Sequence, residues 1–544
     1  MKFPALLFLL SITLYSQVNY EPVNSSVYDF LERMSVKGFI QLNEEILPFS
    51  RDYIAVKLIE IDKSNNRLSH LEKNELGFYI KEFSAELAKK NFDLHPYVKE
   101  KKVLSFFNGL AGFDKYDRFR LLNFASDGFN LFIDPAAGFN YELSDDEHSI
   151  LWSNGLKLYG SVNDNIGFDL QFYDNHLRGD YFDGLRNLSP ETGFEFDVGK
   201  GGGKDFDRMN ANLTYSWSWG NFTAGKDFNF YGSGYNGKLI LSGKAPSFPL
   251  IKIEAYPVDW FKFSYIHGSM NSRVIDSTSI RLGPVRDHHA KVAKYFVSHM
   301  VSFTPFEFIN LSLGESVIYS DRFEPIYLIP VAFFRIADHY MTDSDEAAGN
   351  AQVFASFWYK SYEIRTKFYA SVFIDELSVS SNTESRSVGY NAGVKIVDPL
   401  IPESELIAEY TKTDPMLYFH ADQAQTYENY GYQLGHWIGS NADQLYLSLK
   451  KRILRGLSIY LNYTYTRKGN DPTHDEPLYQ PHHTFLWGNK RSLSVVEVIA
   501  EYEFLHNLRA VLSYRYLEER FEESRTGEPE PRSFFRFGLN YNVD

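Results

Sequence analysis

The sequence of 544 residues predicts an all-β transmembrane β-barrel of about 18 antiparallel strands, preceded by a small N-terminal α-helical domain. Three observations support this fold class. From about Asn123 onward, apolar and polar residues alternate with a period of two, which is typical of strands with one apolar face. The connections between these strands alternate between short turns and long polar stretches. Aromatic residues make up 17% of the chain and gather at the strand ends, where a barrel meets the lipid headgroups.

The first residues predict export. Lys2 is followed by an apolar run at residues 4–15, which is too short and too close to the terminus for a typical membrane-spanning helix. We interpret residues 1–17 as a secretory signal peptide. An uncleaved anchor is the alternative, but no charged stop-transfer flank follows the run. Further along the chain, no apolar run approaches the roughly 18 residues that a membrane helix needs, which argues against a helical membrane protein.

Composition excludes several function classes. The formal net charge is −15 and the chain has no cysteine. Without cysteine there is no disulfide, no thiolate metal site and no cysteine nucleophile. The acidic balance argues against nucleic acid as a partner, because neutralising phosphates needs basic surface. The low mean hydropathy of −0.33 is compatible with a barrel, whose wall alternates lipid-facing apolar residues with lumen-facing polar ones.

Residues 18–115 are expected to form a helical domain on the periplasmic side. Ser25 and Ser26 precede an apolar stripe with helical spacing. Ser50 precedes a second stripe, and Ser69 with Glu72 makes a capping box ahead of a third. Three short helices in roughly 80 residues have a marginal core unless they dock on a larger body. A free-standing adaptor bundle remains the alternative. The first stripe consists of Val27, Phe30, Leu31 and Met34.

Residues 116–544 are expected to form the barrel. Short turns, as at 163–165 and 220–221, alternate with long polar stretches, as at 174–208 and 467–490. This asymmetry is typical of outer-membrane barrels, in which periplasmic turns are short and outer loops are long. At roughly 23 residues per strand and connection, the region accommodates about 18 strands. A soluble β-repeat protein such as a propeller is the alternative, but no repeat of about 40 residues is visible.

The glycine-rich segment YGSGYNGKLILSGKAPSFP, residues 231–249, contains the first seven positions of a phosphate-binding loop, G-x-x-x-x-G-K. The eighth position should be Ser or Thr and should open a helix, but it is Leu239, and Pro246 follows soon after. The segment therefore does not predict a nucleotide site. Its glycines suit an inward-folded barrel loop, because glycine adopts positive φ and allows close approach of backbones and bulky side chains.

Several segments carry a family resemblance. YGSG at 231–234, LILS at 239–242 and APSFP at 245–249 occur in this order, and LGHWIG at 434–439 and NADQLY at 441–446 follow. Together they resemble the capsule-assembly outer-membrane proteins of the Wzi type, whose W/Y-G-x-G, L-x-L-S and A-P-x-x-P segments stand in the same order. The last two look like blocks of relatives from the Bacteroidetes group.

The resemblance covers most of the chain, with one departure. VYDFL at 27–31 and LPFSR at 47–51 look like the helical entry of the family. The chain ends on Val543 and Asp544, whereas barrels of proteobacterial members tend to end on an aromatic residue. This leaves open which assembly machinery the insertion signal fits.

The family implies an eighteen-stranded barrel with a periplasmic-side helical bundle in the outer membrane. It implies a lectin that helps anchor exported capsular polysaccharide at the cell surface. We expect surface or capsular polysaccharide, outer-membrane lipid and the barrel-assembly machinery as partners. We expect no nucleic acid, nucleotide or cofactor.

Polysaccharide binding needs aromatic faces with carboxylates, amides and hydroxyls around them, and two of the resembling blocks offer this mixture. The alternative is that these aromatic residues belong to a girdle at the membrane surface. Lys226 and Asp227 are candidates for an ion pair inside the lumen, since charges on a membrane strand must face inward. The candidate carbohydrate-binding residues are Tyr231, Tyr235, Asn236, Lys238, His436, Trp437, Asn441 and Asp443.

No constellation typical of an enzyme is apparent, so we predict a non-enzymatic protein. Histidines occur at 288–289, 474 and 482–483, but in long polar stretches without the spacing of a zinc site, so no metal site is predicted. Three glycines at 201–203 lack the strand-loop-helix context of a phosphate site. Neither a G-x-S-x-G elbow nor an H-E-x-x-H helix occurs.

The main hypothesis is an outer-membrane lectin or assembly factor for surface polysaccharide. A passive porin of the same architecture is the first alternative, and it predicts an open lumen. An outer-membrane hydrolase is the second alternative, and it predicts convergent catalytic side chains at the loop rim. A third alternative is that the barrel only anchors a helical domain that docks with a periplasmic partner.

Overall fold

The computed structural model describes residues 19–543 with internal gaps. The predicted signal peptide lies outside the described residues, and so do His288, His474, His482 and the glycines at 201–202. The gaps are 99–103, 106–110, 115–117, 127, 145–146, 164, 180–187, 195–196, 199–202, 282–288, 337–348, 376–386, 474–482 and 523–529.

Eighteen antiparallel strands close into a barrel, which confirms the predicted fold class. Each strand pairs with the next in sequence, and the last pairs with the first, so that Tyr541 lies opposite Ala137. The strands are β1 (Phe129–Ser144), β2 (Glu147–Val162), β3 (Ile166–Gly179), β4 (Lys204–Trp217), β5 (Gly220–Asp227), β6 (Phe248–Val258), β7 (Phe261–Ile275), β8 (Lys291–Phe306), β9 (Ile309–Ser320), β10 (Asn350–Ser361), β11 (Thr366–Asp375), β12 (Ser387–Val397), β13 (Ser404–Thr413), β14 (Ala442–Leu454), β15 (Leu457–Lys468), β16 (Arg491–Leu505), β17 (Leu508–Phe521) and β18 (Glu530–Tyr541).

The two ends of the barrel differ in the length of their connections. Turns of two to six residues join the strands at one end, and nearly all connections at the other end are long. Short turns face the periplasm in outer-membrane barrels, so the long connections face outward. Some strands extend further than predicted: β3 continues to Gly179, and β4 already begins at Lys204. Outside the bilayer both strand faces meet water, so backbone pairing continues while the apolar alternation that reveals a strand is lost.

Four short helices precede the barrel in the described part of the chain. They are α1 (Val27–Val36), α2 (Arg51–Asp62), α3 (His70–Glu82) and α4 (Ser84–Lys89). The Ser50 hydroxyl accepts the Tyr53 N–H at 3.1 Å, and Ser69 and Glu72 form the predicted capping box. The third predicted helix is interrupted at Phe83. The backbone of Phe83 is not helical and separates α3 from α4, while its buried side chain packs in the core of the helical domain. None of the described helices has the length and apolarity needed to cross a bilayer.

The helical domain docks on the short-turn end of the barrel through buried ion pairs. Arg33 of α1 is fully buried and reaches Glu72 of α3 at 3.2 Å. The same guanidinium contacts Asp398 at 2.7 Å and Glu403 at 3.1 Å in the turn between β12 and β13, and Glu405 of β13 at 3.5 Å. Burial alone would raise the pKa of the Asp398 carboxyl, but the Arg33 guanidinium holds this pKa below its ordinary value.

A second group of ion pairs lies just inside the lumen. Lys367 of β11 contacts Glu32 of α1 at 2.8 Å and Glu44 at 2.9 Å. Lys395 of β12 reaches Glu32 at 2.8 Å, and Lys360 of β10 reaches Glu44 at 3.0 Å. The helical domain therefore presents carboxylates to lumen-facing amines of three neighbouring strands, and each buried charge has a partner of opposite sign.

The middle of the lumen is filled by an apolar core. The connection between β5 and β6 folds into the barrel, and the connection between β13 and β14 packs against it. Burying one large apolar side chain stabilises by roughly 1.5–3 kcal/mol, so this cluster holds both connections firmly. The connections contribute Tyr231, Leu239, Ile240, Leu241, Ala245, Leu417, Tyr418, Tyr427 and Leu434, and the strand side chains around them include Ile266, Phe296, Ile318, Phe354 and Phe373.

The inward connection is also joined to the helical domain. The short strand Phe230–Tyr231 pairs with Ile46–Leu47, which lies just before α2. The Ser233 hydroxyl donates to the Glu45 carboxylate at 2.5 Å. The helical domain and the lumen core are therefore one continuous packed body.

Candidate functional site

A cavity of about 400 Å³ lies beside the β13–β14 connection at the long-loop end of the barrel, and Lys244 of the β5–β6 connection also lines it. Its position follows from its lining, since Lys468 ends β15 and Arg491 begins β16 at that end. The volume falls within the range of roughly 300–1,000 Å³ that is usual for ligand sites. The lining combines four aromatic, four basic and two acidic side chains, which are Tyr418, Phe419, Tyr432, Trp437, Lys244, Arg273, Lys468, Arg491, Glu428 and Asp471.

Trp437 is the one of the eight candidate carbohydrate-binding residues that lines this cavity. It lies in a turn of the β13–β14 connection, closed by a hydrogen bond from the Gly439 N–H to the His436 carbonyl at 3.0 Å. The indole N–H donates to the Asn236 carbonyl. The hydrogen bond fixes one edge of the ring to the β5–β6 connection, and the ring lies beside the His436 imidazole.

His436 lies under Trp437 and is fully buried. Its backbone N–H donates to the Tyr418 hydroxyl at 3.2 Å, and its Nδ1 accepts the Ile438 N–H at 3.3 Å. Burial lowers the pKa of the His436 imidazole to about 3. The ring is therefore neutral at physiological pH and contributes shape and polarity rather than charge.

Glycine is required where the inward connection passes beneath this pair. Gly237 has φ +144°, and a Cβ on it would lie 2.7 Å from His436 Nε2 and 2.9 Å from Trp437 Cδ1. Lys238, which follows it, donates to the Gly232 carbonyl, where φ is +87°. The glycines of the phosphate-loop pattern are therefore needed for packing: the segment turns back on itself and passes under an aromatic ring.

Two predicted residues lie toward the helical domain. Tyr231 is fully buried, and its hydroxyl lies 2.8 Å from the Ser264 hydroxyl of β7. The Tyr235 hydroxyl donates to Glu32 of α1, and its backbone N–H donates to Glu409 of β13 at 2.8 Å. Both side chains are thus used to join the inward connection to its surroundings.

Asn236 and Asn441 hold connections together. The Asn236 amide donates to Gln444 of β14 at 2.7 Å. The Asn441 amide donates to the Asn470 carbonyl at 2.9 Å and accepts the Leu486 N–H at 2.8 Å. Asn441 thereby fixes the start of β14 to the long connection between β15 and β16.

The charged candidates Asp443, Lys226 and Asp227 lie on strands of the barrel wall and not in the inward connections. Asp443 accepts from the Tyr410 hydroxyl at 2.9 Å and from Arg467 Nε at 2.9 Å. Its neighbour Gln444 binds Asn236 inside the lumen, so Asp443 points away from the lumen. Lys226 and Asp227 are successive residues of β5 and point to opposite faces, and Asp227 accepts from the Asn212 amide at 3.0 Å.

The structure therefore brings Asn236 and His436 into contact with Trp437, whereas the Lys238 side chain turns back to the Gly232 carbonyl on the side of Glu45. The other four candidates have the separate partners described above. Sequence reasoning missed the basic residues of the cavity. Lys468 and Arg491 flank a long polar stretch, and the paired cations at both of its ends, 467–468 and 490–491, were an available signal. Arg273 gave no signal, because it lies at the polar end of β7, beyond the apolar alternation that indicates a strand.

Arg273 has an unusual backbone. It is exposed at the cavity and has φ +61°, within an irregular part of the β7–β8 pairing. Positive φ in a non-glycine residue costs free energy and persists only where the surroundings impose it. The guanidinium lies over Gly431, where a Cβ would come within 2.5 Å of Arg273 Nη1. The β13–β14 connection is thus shaped to admit this side chain.

Among the described residues, no group of three or more His, Asp and Glu side chains could hold a metal ion. The carboxylates of Glu403 and Glu405 are used in docking, since both contact Arg33 and Glu405 also contacts Arg452 at 2.8 Å.

Comparison with known families gives one match. The model of the capsule assembly protein Wzi family matches residues 173–528, which is more than half of the chain and includes both inward connections. No curated protein sequence matches the chain.

The comparison with solved structures gives several matches, and the first of the three described here shows the same fold. The chain is similar to Wzi from Escherichia coli, described as an outer membrane protein involved in group 1 capsule assembly and as a carbohydrate binding β-barrel. The identity is 11% and the TM-score is 0.58, over 97% of this chain and 100% of that chain. OccK3 of Pseudomonas aeruginosa matches at 12% identity and TM-score 0.42, over 76% of this chain and 95% of that chain. OccAB2 of Acinetobacter baumannii matches at 12% identity and TM-score 0.43, over 76% and 98%.

Proposed function

The chain belongs to the capsule assembly protein Wzi family, and from this premise we propose that it binds surface or capsular polysaccharide at its outward cavity. It is an outer-membrane β-barrel protein. Binding, without any bond being made or broken, holds the exported polymer at the cell surface. The observation that carries the proposal is the cavity at the long-loop end, where Trp437 and Arg273 meet.

Aromatic and basic groups suit a particular class of glycan. The accessible part of the Trp437 ring, whose residue is 5% exposed, offers an apolar contact for the C–H surface of a sugar, and the surrounding hydrogen-bonding groups suit its hydroxyls. Four basic side chains against two acidic ones favour a polymer that bears carboxylates. Arginine binds carboxylates with two parallel hydrogen bonds, so we expect Arg273 to recognise the polymer more strongly than the lysines of the cavity do.

The other candidate residues support this cavity in the proposal. Asn236 and His436 contact Trp437, Lys238 belongs to the connection that passes beneath it, and Asn441 fixes the neighbouring connection. We expect them to affect affinity through the position of Trp437. The filled lumen does not favour the porin alternative, since apolar side chains occupy the middle of the barrel.

Binding of purified protein to polysaccharide extracted from the surface of the producing cells tests the proposal. Trp437→Ala should weaken binding by roughly 30-fold, the equivalent of about 2 kcal/mol for a central aromatic contact. Arg273→Gln should weaken it as well, and this difference should shrink at high salt, which screens the attraction to carboxylates.

Trp260→Ala is the matched control, because Trp260 is also a tryptophan but lies half exposed at the short-turn end of the barrel. It should bind like the unsubstituted protein. If Trp437→Ala and Arg273→Gln also bind normally, the cavity is not the site. If the unsubstituted protein binds no extracted polysaccharide, the proposed function itself is wrong.

A further inference from the structure

The segment of residues 323–336, between β9 and β10, lies on the outside of the barrel. Tyr327 and Phe334 are buried, at 3% and 0% exposure, against strand side chains whose neighbours in sequence belong to the lumen core. Since successive side chains of a strand point to opposite faces, these contacts are on the lipid-facing surface. The covered side chains are Tyr265, Val297, Val317 and Tyr319.

The segment is fixed by polar contacts that are unusual for a lipid-facing surface. Glu315 of β9 faces outward, and its Oε1 accepts the Phe334 N–H at 2.7 Å. The same oxygen lies 3.2 Å from His299 Nε2 of β8, and His299 Nδ1 lies 3.0 Å from the Pro330 carbonyl. Glu315 is only 8% exposed as a result. A carboxylate facing lipid is costly, and these contacts give it partners.

The Glu315–His299 pair lies well inside the apolar band of the barrel. Glu315 follows Ile309, the first residue of β9 at the short-turn end, by six positions. A tilted strand advances by roughly 2.6 Å of depth per residue, which places Glu315 about 16 Å into a band roughly 25 Å tall. Leu311 and Leu313 precede it on the same face and are 44% and 51% exposed, as lipid-facing residues are.

The outer face of the segment is apolar and exposed. Val331 and Phe333 are 74% and 70% exposed. Contiguous apolar surface of this kind marks a contact with a membrane or a protein. It continues the exposed apolar surface of β9 and β10, whose contact is lipid, and the pair beneath it lies at bilayer depth. The exposed apolar residues of the segment are Phe323, Leu328, Ile329, Val331, Phe333 and Ile336.

We propose that residues 323–336 form a membrane-embedded flap whose outer face contacts lipid acyl chains and whose inner face shields the Glu315–His299 pair from them. The segment can both contact lipid and shield the pair, because its apolar side chains point toward the lipid and its polar backbone groups point toward the pair. The flap enlarges the lipid contact of the barrel on the side of β7–β9 and leaves the outward cavity untouched.

Spin labelling tests the flap directly, because a chain without cysteine allows single labels. Val331→Cys carries the label on the flap. Leu313→Cys is the matched lipid-facing control, and Ser277→Cys, in the exposed connection between β7 and β8, is the aqueous control. In liposomes of outer-membrane lipid, collisions with oxygen report lipid exposure and collisions with a water-soluble nickel chelate report water exposure. We expect Val331 to behave like Leu313.

Two results would overturn the lipid assignment. If the label at Val331 is accessible to the nickel chelate, as at Ser277, the segment lies in water. If the label shows dipolar broadening that disappears on dilution with unlabelled protein, a second copy of the chain covers the face instead of lipid. Both readouts use an exposed side chain, so the barrel should fold in each labelled variant.

Glu315→Leu tests the anchoring role of the pair. Leucine suits a lipid-facing strand position, so the barrel should fold, while the Phe334 N–H and His299 lose their acceptor. A label at Val331 should then become more mobile than in the unsubstituted background, and a label at Leu313 should not change. Unchanged mobility at Val331 would show that the pair does not hold the flap.

Discussion

At the scale of single residues, the glycine at 237 explains most about the site. A Cβ there would meet both His436 and Trp437 at distances below 3 Å, and its φ of +144° is strained for any other residue. The backbone of the inward connection can therefore pass directly under the aromatic ring only with glycine at this position. The sequence pattern of a phosphate loop arises here from packing.

Gly237→Ala should therefore weaken polysaccharide binding without removing any group that contacts the polymer. The added methyl group displaces Trp437 or the connection, and we expect a loss of affinity of roughly tenfold, measured against the same extracted polysaccharide. Gly77→Ala is the control, because Gly77 lies within α3, has ordinary φ and leaves 3.5 Å to the nearest atom. Normal binding by Gly237→Ala would show that the position of Trp437 does not matter.

The sequence singles out Trp437 as a candidate because it stands in a recognisable block, whereas it gives no indication of Arg273. Arg273 reaches the cavity through a positive φ and an irregular strand pairing, and neither leaves a trace in residue type. Asp443 is the opposite case, because the sequence suggests it as a binding residue but it does not line the cavity. Its position next to the block suggested a binding role, but its direction depends on strand register, which puts it opposite to Gln444.

At the scale of elements, local signals were readable and long-range pairing was not. The capping box of α3 and the alternation of the strands depend on residues near one another in sequence, so both were predicted. The partners of Arg33 are separated from it by up to 372 positions. Nothing in the sequence indicates that a helix arginine would meet carboxylates of a distant turn, since this follows only from closing the barrel.

Arg33→Gln should loosen the docking of the helical domain. The substitution leaves buried carboxylates without their cation, which costs about 3–5 kcal/mol. The rate of trypsin cleavage within α1–α4 of the folded protein should rise by roughly 100-fold or more, with the barrel intact. Arg365→Gln is the control, because this arginine contacts the same Asp398 at 3.1 Å but is half exposed, so its loss should cost about 1 kcal/mol or less.

Acid provides a second readout of the same docking. The pKa values of Glu72 and Asp398 lie below their ordinary values even though burial alone would raise them, because Lys37 and Arg33 stabilise the charged forms. The stabilisation is therefore complete above about pH 5, where both carboxyls are ionised in the unfolded chain as well, and it is lost as the pH falls through the lowered values. Trypsin is inactive in acid, so the readout here is pepsin, whose cleavage of the unsubstituted protein within α1–α4 should approach the rate for Arg33→Gln as the pH falls. A cleavage rate independent of both pH and Arg33 would contradict the docking role.

At the scale of the whole molecule, the lumen is obstructed at two successive levels. The helical domain and its ion pairs occupy the short-turn end, and the apolar core occupies the middle. The outward cavity lies above both levels and is lined by the same connections that build the core, since Tyr418 belongs to each. The barrel therefore provides a filled support beneath the outward cavity, as the proposed binding of a polymer requires and the passage of a solute does not.

The purified protein should accordingly show no steady large conductance in a planar bilayer, with or without extracted polysaccharide. Leu239→Ala combined with Leu241→Ala should produce openings, because both side chains are buried in the lumen core at 0% and 2% exposure and each truncation costs roughly 2–5 kcal/mol of packing. Leu311→Ala with Leu313→Ala makes the same chemical change on the lipid-facing side and should remain closed. Steady conductance from the unsubstituted protein would reveal a continuous water path and favour the porin alternative. Openings in the lumen variant alone would locate the barrier in the inward connection between β5 and β6, the connection that also carries the floor of the proposed polysaccharide site.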